Sequence, residues 1–484
     1  MADRGAVPFG TTRHKAARFV TLPAMLKLAL RSNTQAALSF NQHIAPLIKD
    51  DANLAFDMYA GRFEFAGQTI AAPPSEIFTR SRSIPPLQEA LNNLDWLKHF
   101  NASQRSLHDQ YAMRLLRYWS KQPNHKRSGA TQVKIICTLA THGQDIARRC
   151  DRDIQSQFLE LAATEIKALT KIRPRNAEEA VTKALALFYG LTSFHGLEYL
   201  LESAHKLLDQ NIDHVILADG GHVSRQMQKL IAFLELALPL QHCKKPLVPN
   251  SLVRATENGL ALLNLLQTGD GGIAPVVEDD IDQKYLHLLT AFHQHNIPAQ
   301  NMAPHSGFAR IDQNGATLIA NTFSGLAIAF SDGQERLFHT HLSSTGEAAP
   351  AKLISAPQGT ALTMQTAQAM RTCFLSENGS DLRIEDAFAN PTSPDVIIHV
   401  ASGVKLSSLL EGQAILLVTA AQCVWHLKLR GGFAHIRQSA MRSEIVITPD
   451  RTKSPGCINW SLKKQPKPSK PTRKKSNPEP DLLG

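Results

Sequence analysis

No stretch of this chain reaches the roughly 18 consecutive apolar residues of a membrane-spanning helix, which excludes an ordinary transmembrane protein. The six cysteines, Cys137, Cys150, Cys243, Cys373, Cys423 and Cys457, show no C-x-x-C spacing and no Cys–His pairing at ligand intervals. A disulfide framework and a zinc site are therefore not expected, and no metal or cofactor is assigned. Nucleic-acid-binding signatures and fixed-period repeats are also missing. The N-terminus is basic, but Pro23 and Lys27 interrupt its apolar run from Phe19 to Leu30 and no small-residue cleavage site follows, so no ordinary signal peptide is expected.

The 484 residues, 43% hydrophobic and 19% charged, are enough for about two to four folded domains. The formal charge of +10 is concentrated: seven Lys and Arg lie between Lys463 and Lys475. The rest is only mildly basic, which fits an anionic ligand better than a nucleic acid. The last residues, 463–484, rich in Pro, Lys and Ser, read as a disordered tail. The basic termini are the expected places of any peripheral contact with an anionic membrane. Nothing in the sequence fixes the oligomeric state.

Apolar residues recur at helical spacing from Pro85 to Ala303, as in LQEALNNLDWLKHF, QSQFLELAATEIKALTKI, RQMQKLIAFLELALPLQ and DQKYLHLLTAFHQHN. Short breaks such as KIRPRNA and ADGGH predict antiparallel helix pairs over 85–303. From 304 to 462 the texture becomes alternating short runs, ATLIANTF, PDVIIHVAS and WHLKLRG, which predicts an antiparallel β-sandwich. YAGRFEFAGQTI, within an N-terminal segment 1–84, predicts a small hairpin turning at Ala66-Gly67.

Six segments, GRFEFAG at 61–67, LADGGHVSRQMQKL at 217–230, GDGGIAPV at 269–276, APHSGFARI at 303–311, GLAIAFSDGQERL at 325–337 and SEIVITP at 443–449, resemble in kind and order the bacterial heparinase II/III-like proteins. The resemblance spans roughly residues 55–462. It implies an incomplete α/α toroid followed by a β-sandwich, and cleavage of an acidic, uronic-acid-containing polysaccharide by β-elimination. That chemistry needs a cation or donor on the uronate carboxylate, a base for the neighbouring C–H and an acid for the leaving oxygen. Carried onto this chain, it makes His222 and His305 the catalytic candidates, with Arg225, Arg310, Asp219 and Ser224 binding substrate. A glycan-binding protein of the same fold without catalysis is the alternative. The family's active lyases are exported, which implies the cell envelope or periplasm, with the cytoplasm as alternative for a chain lacking a leader pattern.

The sequence also departs from the family. The stretch Arg225 to Lys229 lacks the lyases' Glu and Tyr. Asn321-Thr322-Phe323 stand where the family's sandwich carries a His. The Asn-His pair of the inner helices is missing, His195 being the nearest histidine.

Each candidate has a structural reading as well. His222 could cap a turn through Ser224, Arg225 could form an ion pair, and His305 could hold a tight linker. Gly269-Asp270-Gly271-Gly272 reads as a turn rather than a phosphate or calcium loop. His287, His293 and His295, with Glu278, Asp279, Asp280 and Asp282, do not stack on one helix face and do not read as a metal site. His339 and His341, at i and i+2 of a strand, read as packing or surface. Tyr189, Tyr199 and Tyr285 lie in apolar stripes and read as core residues.

Overall fold

The computed structural model describes residues 38–47, 51–122, 127–276, 288, 297–323, 325–342, 349–389, 395–409, 412–438, 443–450 and 456–466. The basic N-terminal segment, most of DQKYLHLLTAFHQHN with Tyr285, His287, His293 and His295, the acidic positions 278–282, and the tail beyond 466 lie outside these residues.

Strand β1 (Ser39–Phe40) and helix α1 (Asn53–Tyr59) lead into the hairpin of β2 (Arg62–Phe65) and β3 (Gln68–Ala71). Phe65 pairs with Gln68, and the turn is Ala66-Gly67, both at positive φ. This is where the alternation placed it. Helices α2 (Ile77–Arg80) and α3 (Pro85–Asn92) follow, the second started by proline at its first position, where no N–H is needed.

Among the described residues, four consecutive pairs then form the helical domain. They are α4 (Leu97–Ser103) with α5 (Ser106–Ser120); α6 (Gly129–Thr138) and α7 (Gln144–Arg148) with α8 (Arg152–Lys171); α9 (Ala177–Ser193) with α10 (Leu201–Asp209); and α11 (Met227–Gln241) with α12 (Asn250–Leu265). The first member of each pair packs on the first member of the next, giving the inner layer of an open toroid. Caps set its edges. Ser128 accepts from Thr131 N–H to start α6, and Asn176 accepts from Glu179 N–H to start α9. One π-turn, Leu139–Gly143, joins α6 to α7.

Among the described residues, two eight-stranded antiparallel sheets follow the helices. One contains β5 (Met302–Ala303), β6 (Phe308–Gln313), β7 (Ala316–Asn321), β8 (Ile328–Asp332), β9 (Glu335–His341), β14 (Val396–Val400), β18 (Gly432–Gln438) and β19 (Ser443–Pro449). The other contains β10 (Ala349–Ala356), β11 (Gly359–Gln365), β12 (Ala369–Ser376), β13 (Asp381–Phe388), β15 (Lys405–Leu409), β16 (Ala414–Val418), β17 (Val424–Arg430) and β20 (Cys457–Lys464). Alternate residues, such as Leu382 and Ile384 on β13, face the core between the sheets. The opposite face of the first sheet meets the toroid, because Phe308, Ile319, Ala327 and Ala329 share the helices' apolar cluster.

Two boundaries move from their expected places. β5 begins the sandwich at Met302, and β20 runs to Lys464, so Lys463 and Lys464 are strand residues rather than tail. The period-2 burial of Ile458, Trp460 and Leu462 carries the strand on, and the Lys464 ammonium ends on the Asp332 carboxylate at 2.6 Å. Helices α1 and α2 also lie in the 1–84 segment, where only a hairpin was expected.

No helix of the described residues is long and apolar enough to cross a membrane.

Candidate functional site

The loop before α11 folds back on itself. Gly220 N–H donates to Leu217 O at 2.9 Å, Leu217 N–H to Gly221 O at 2.7 Å, and Val223 N–H to Val215 O at 2.8 Å. Gly220 sits at φ +92, and a Cβ there would stand 2.0 Å from Asn258 O of α12. At Gly221 a Cβ would stand 1.9 Å from Ser306 Oγ. These glycines let the loop press against both α12 and the linker into the sandwich. Gly220→Ala is expected to destabilise the fold by about 2–4 kcal/mol, through left-handed strain plus a backbone clash, measurable by denaturant unfolding.

Asp219 at the loop tip is buried. One carboxylate oxygen accepts from the backbone N–H of His305 at 2.6 Å and of Ser306 at 2.8 Å, while the other accepts from Ser306 Oγ at 2.6 Å. Gln300 donates to its backbone carbonyl at 3.1 Å. Asp219, expected to bind substrate, latches the toroid to the sandwich through both carboxylate oxygens.

His222 is buried beside the latch. Its Nδ1 accepts from Ser224 N–H at 3.1 Å and lies 2.7 Å from Ser224 Oγ. A nitrogen that accepts a backbone N–H is unprotonated, so the neutral ring carries its proton on Nε2 and is a donor there. Ser224 is thereby an orienting partner of His222. Burial lowers the His222 pKa, with Glu178 raising it and Lys229 lowering it less strongly. The unfolded chain then takes up this proton first, near 6.5, so stability falls as pH drops from that value towards the lowered folded value. His222→Gln is expected to flatten that part of the stability–pH curve, read from unfolding midpoints at a series of pH values.

Arg225 is exposed, with φ +58, and its guanidinium lies 3.3 Å from the Phe323 ring centroid. No carboxylate of the described residues pairs with it, so the expected ion-pair alternative gives way to stacking. His305 is exposed at the start of the linker. It is joined to the Phe323 side of the junction through Gly307, whose carbonyl accepts from Thr322 N–H at 2.7 Å.

Arg310 does not join them. Its Nη1 donates to the carbonyls of Asn264, Leu265 and Gln267 at 3.3, 3.1 and 2.5 Å, and its Nε to Asp312 at 2.5 Å. It caps the C-terminal end of α12, where carbonyls lack intrahelical partners and the dipole favours a cation, so its described contacts are structural.

The structure adds residues that the sequence reading did not select. Lys229 reaches Glu178 of α9 at 2.9 Å, which sets the start of α9 beside the loop. Asn321, buried where the family resemblance has a histidine, donates to Val276 O at 3.0 Å and accepts from Phe323 N–H at 3.0 Å. No short-range signal in the sequence links positions 178 and 229, which meet only because two inner helices run side by side.

Other candidates sit elsewhere. His195 is exposed on β4 (Phe194–His195) at the far end of α9, 3.5 Å from Glu198. Tyr189 is buried and its phenol is pushed well above its ordinary pKa by burial, whereas Tyr199 is exposed rather than in the core. Gly269 to Gly272 form a turn closed by Thr268 N–H on Gly272 O at 2.8 Å. His339 and His341 stack on His399 across the sheet, at 4.8 and 5.7 Å. Among the described residues, no group of three or more His, Cys, Asp or Glu is placed to hold a metal ion.

Fold and junction together define a helical toroid joined to a two-sheet β-sandwich, latched at a loop carrying His222 and Arg225. Solved structures of heparinase III share that architecture. The heparinase III BT4657 gene product matches with a TM-score of 0.68 at 10% identity, over 91% of this chain and 88% of that one. The heparan sulfate lyase HepC from Pedobacter heparinus matches at 0.60 and 11%, over 87% and 83%. A further heparinase III crystal structure matches at 0.57 and 11%, over 91% and 89%. No protein-family model matches, and no curated protein matches by sequence. The chain therefore has the fold seen in heparinase III.

Proposed function

We propose that the chain binds an acidic, uronate-containing polysaccharide at the junction of toroid and sandwich and cleaves it by β-elimination. The observation that carries this reading is the full-length likeness to heparinase III and a heparan sulfate lyase, with His222, Arg225 and His305 gathered at the latched junction. The glycan would belong to the bacterial cell envelope or its breakdown products.

The geometry supports the following roles. Arg225, exposed on Phe323, pairs with the uronate carboxylate and so acidifies the adjacent C5–H. His305, exposed and placed on the linker, takes that proton. The C5–H electron pair becomes the C4–C5 double bond as the C4–O bond breaks, and the departing oxygen takes a proton from water while the neutral His222 ring donates a hydrogen bond from Nε2. Asp219 and Ser224 hold the two histidines in place.

His305→Ala is expected to cut kcat by about 100- to 10,000-fold with KM little changed, and Arg225→Ala to raise KM as well, in steady-state kinetics on heparan sulfate. Equal kinetics of wild type and both variants would sink these assignments.

A second reading, binding without cleavage, is favoured by Asn321, Thr322 and Phe323, which place a buried amide and a stacked ring where the family resemblance has a histidine. It expects calorimetric binding of the glycan with no unsaturated product.

A further inference from the structure

In the sheet that faces away from the toroid, β20 runs between β13 and β17. Ile458, Trp460 and Leu462 take its core side, so Asn459 and Ser461, both short, point outwards. The strands beside it carry long outward side chains. Register sets Arg383 and Lys428 on either side of Ser461, and Glu385 and Arg430 on either side of Asn459. Short residues between two rows of long ones leave a groove of about 370 Å³ along β20. Its walls stand about 9.5 Å apart, two interstrand spacings, which admits a single chain laid along the strand.

The two walls differ in charge. Lys428 and Arg430 are exposed, and among the described residues no carboxylate pairs with either. On the β13 wall the Arg383 guanidinium is held by Asp381 at 2.7 and 3.0 Å and lies 5.7 Å over the Phe374 ring. Arg383 is thereby neutralised, and Glu385 sets the charge of that wall. The described hydrogen bond of Glu385 is a long one, 3.9 Å from the Cys457 thiol, so its carboxylate has acceptor capacity to spare.

These features narrow the ligand. The β17 wall draws an anion, while Glu385 and the Asn459 amide take hydroxyl donors. A polymer charged along both edges would meet Glu385 and be repelled. A peptide cannot add as a strand, because β13, β20 and β17 are all interior to the sheet and their backbones are already paired. Nucleic-acid bases find no open ring to stack on, since Arg383 lies over Phe374. An anion on one edge and hydroxyls on the other describe an acidic sugar.

We propose that this groove holds an acidic oligosaccharide, with its carboxylate or sulfate on Lys428 and Arg430 and its hydroxyls on Glu385 and Asn459. The site takes the same class of ligand as the junction but shares no residue with it, so it holds the glycan and takes no part in elimination.

The test is calorimetric titration of the full chain carrying Arg225→Ala, which removes the junction's clamp, with a short heparan sulfate oligosaccharide. Binding is expected to remain. Adding Lys428→Ala with Arg430→Ala is expected to weaken it at least tenfold, and so is Asn459→Trp, which fills the floor without changing charge. Glu385→Leu is expected to weaken the oligosaccharide at least threefold and inorganic sulfate not at all. Unfolding midpoints are expected to stay, since all four side chains are exposed. No binding, or binding that these variants leave unchanged, overturns the proposal. So does inorganic sulfate or poly-L-glutamate that binds as tightly as the oligosaccharide, which would make the groove a plain anion site. Groove binding with no unsaturated product from the wild type would count against the lyase reading alone, and product without groove binding against this site alone.

Discussion

Replacing Asp219 by alanine is expected to lower the unfolding free energy by about 3–5 kcal/mol, since it strips two buried backbone N–H groups and a hydroxyl of their acceptor at once. The three bonds of 2.6 to 2.8 Å join positions 86 and 87 residues apart, so the loss falls on the junction and not on one helix. Asp219→Asn keeps the volume but turns an N–H donor or a weaker acceptor towards two N–H donors, and is expected to cost nearly as much. Denaturant unfolding followed by far-ultraviolet dichroism and by tryptophan fluorescence measures it. Because the junction opens first in such a variant, the two probes should part company. A loss under about 1 kcal/mol, with coincident transitions, would show that the latch contributes little.

The second large effect lies inside the sandwich. Arg371 and Asp386 are both fully buried and joined by bonds of 2.6 and 3.0 Å. Arg371 also donates to Leu326 O in the connection between β7 and β8 at 2.9 Å, and the Trp460 indole donates to Asp386 at 3.0 Å. Removing one charge strands the other in an apolar core, so Asp386→Ala is expected to cost about 3–5 kcal/mol. The double variant Arg371→Met, Asp386→Leu removes both and is expected to cost far less, since desolvation of the pair offsets most of its attraction. A double-mutant cycle in denaturant separates these outcomes, and a double variant as unstable as the single one would contradict the ion-pair explanation.

Much of this architecture was legible because hydrophobic period is a physical signal. The change from helical to alternating spacing near residue 303 falls within two residues of β5, and Ala66-Gly67 turns its hairpin as the pattern required. The tail boundary failed because composition outweighed pleat: Lys463 and Lys464 look like the start of a basic run, yet they continue a strand whose alternate residues are buried.

The site was legible in part. His222, Ser224, Arg225 and His305 do gather at one junction, and Asp219 is central to it. Its role was not readable, because a conspicuous carboxylate in a glycine-rich loop looks the same whether it faces a sugar or two N–H groups 86 residues away. The partners of Arg310, the carbonyls that end α12, were unreadable for the same reason. Glu178 and Lys229 could not be chosen, since only the side-by-side packing of inner helices brings them near His222, and the contact of Asn321 with Val276 O joins positions 45 residues apart.

The most direct test of the central reading is to incubate the purified protein with heparan sulfate and a panel of other uronate-containing polysaccharides and follow the ultraviolet absorbance of the C4–C5 unsaturated product. The expected result is a rising signal on at least one acidic glycan that His305→Ala abolishes. A flat trace on every glycan, or a rise that persists in His305→Ala, would contradict elimination at this junction.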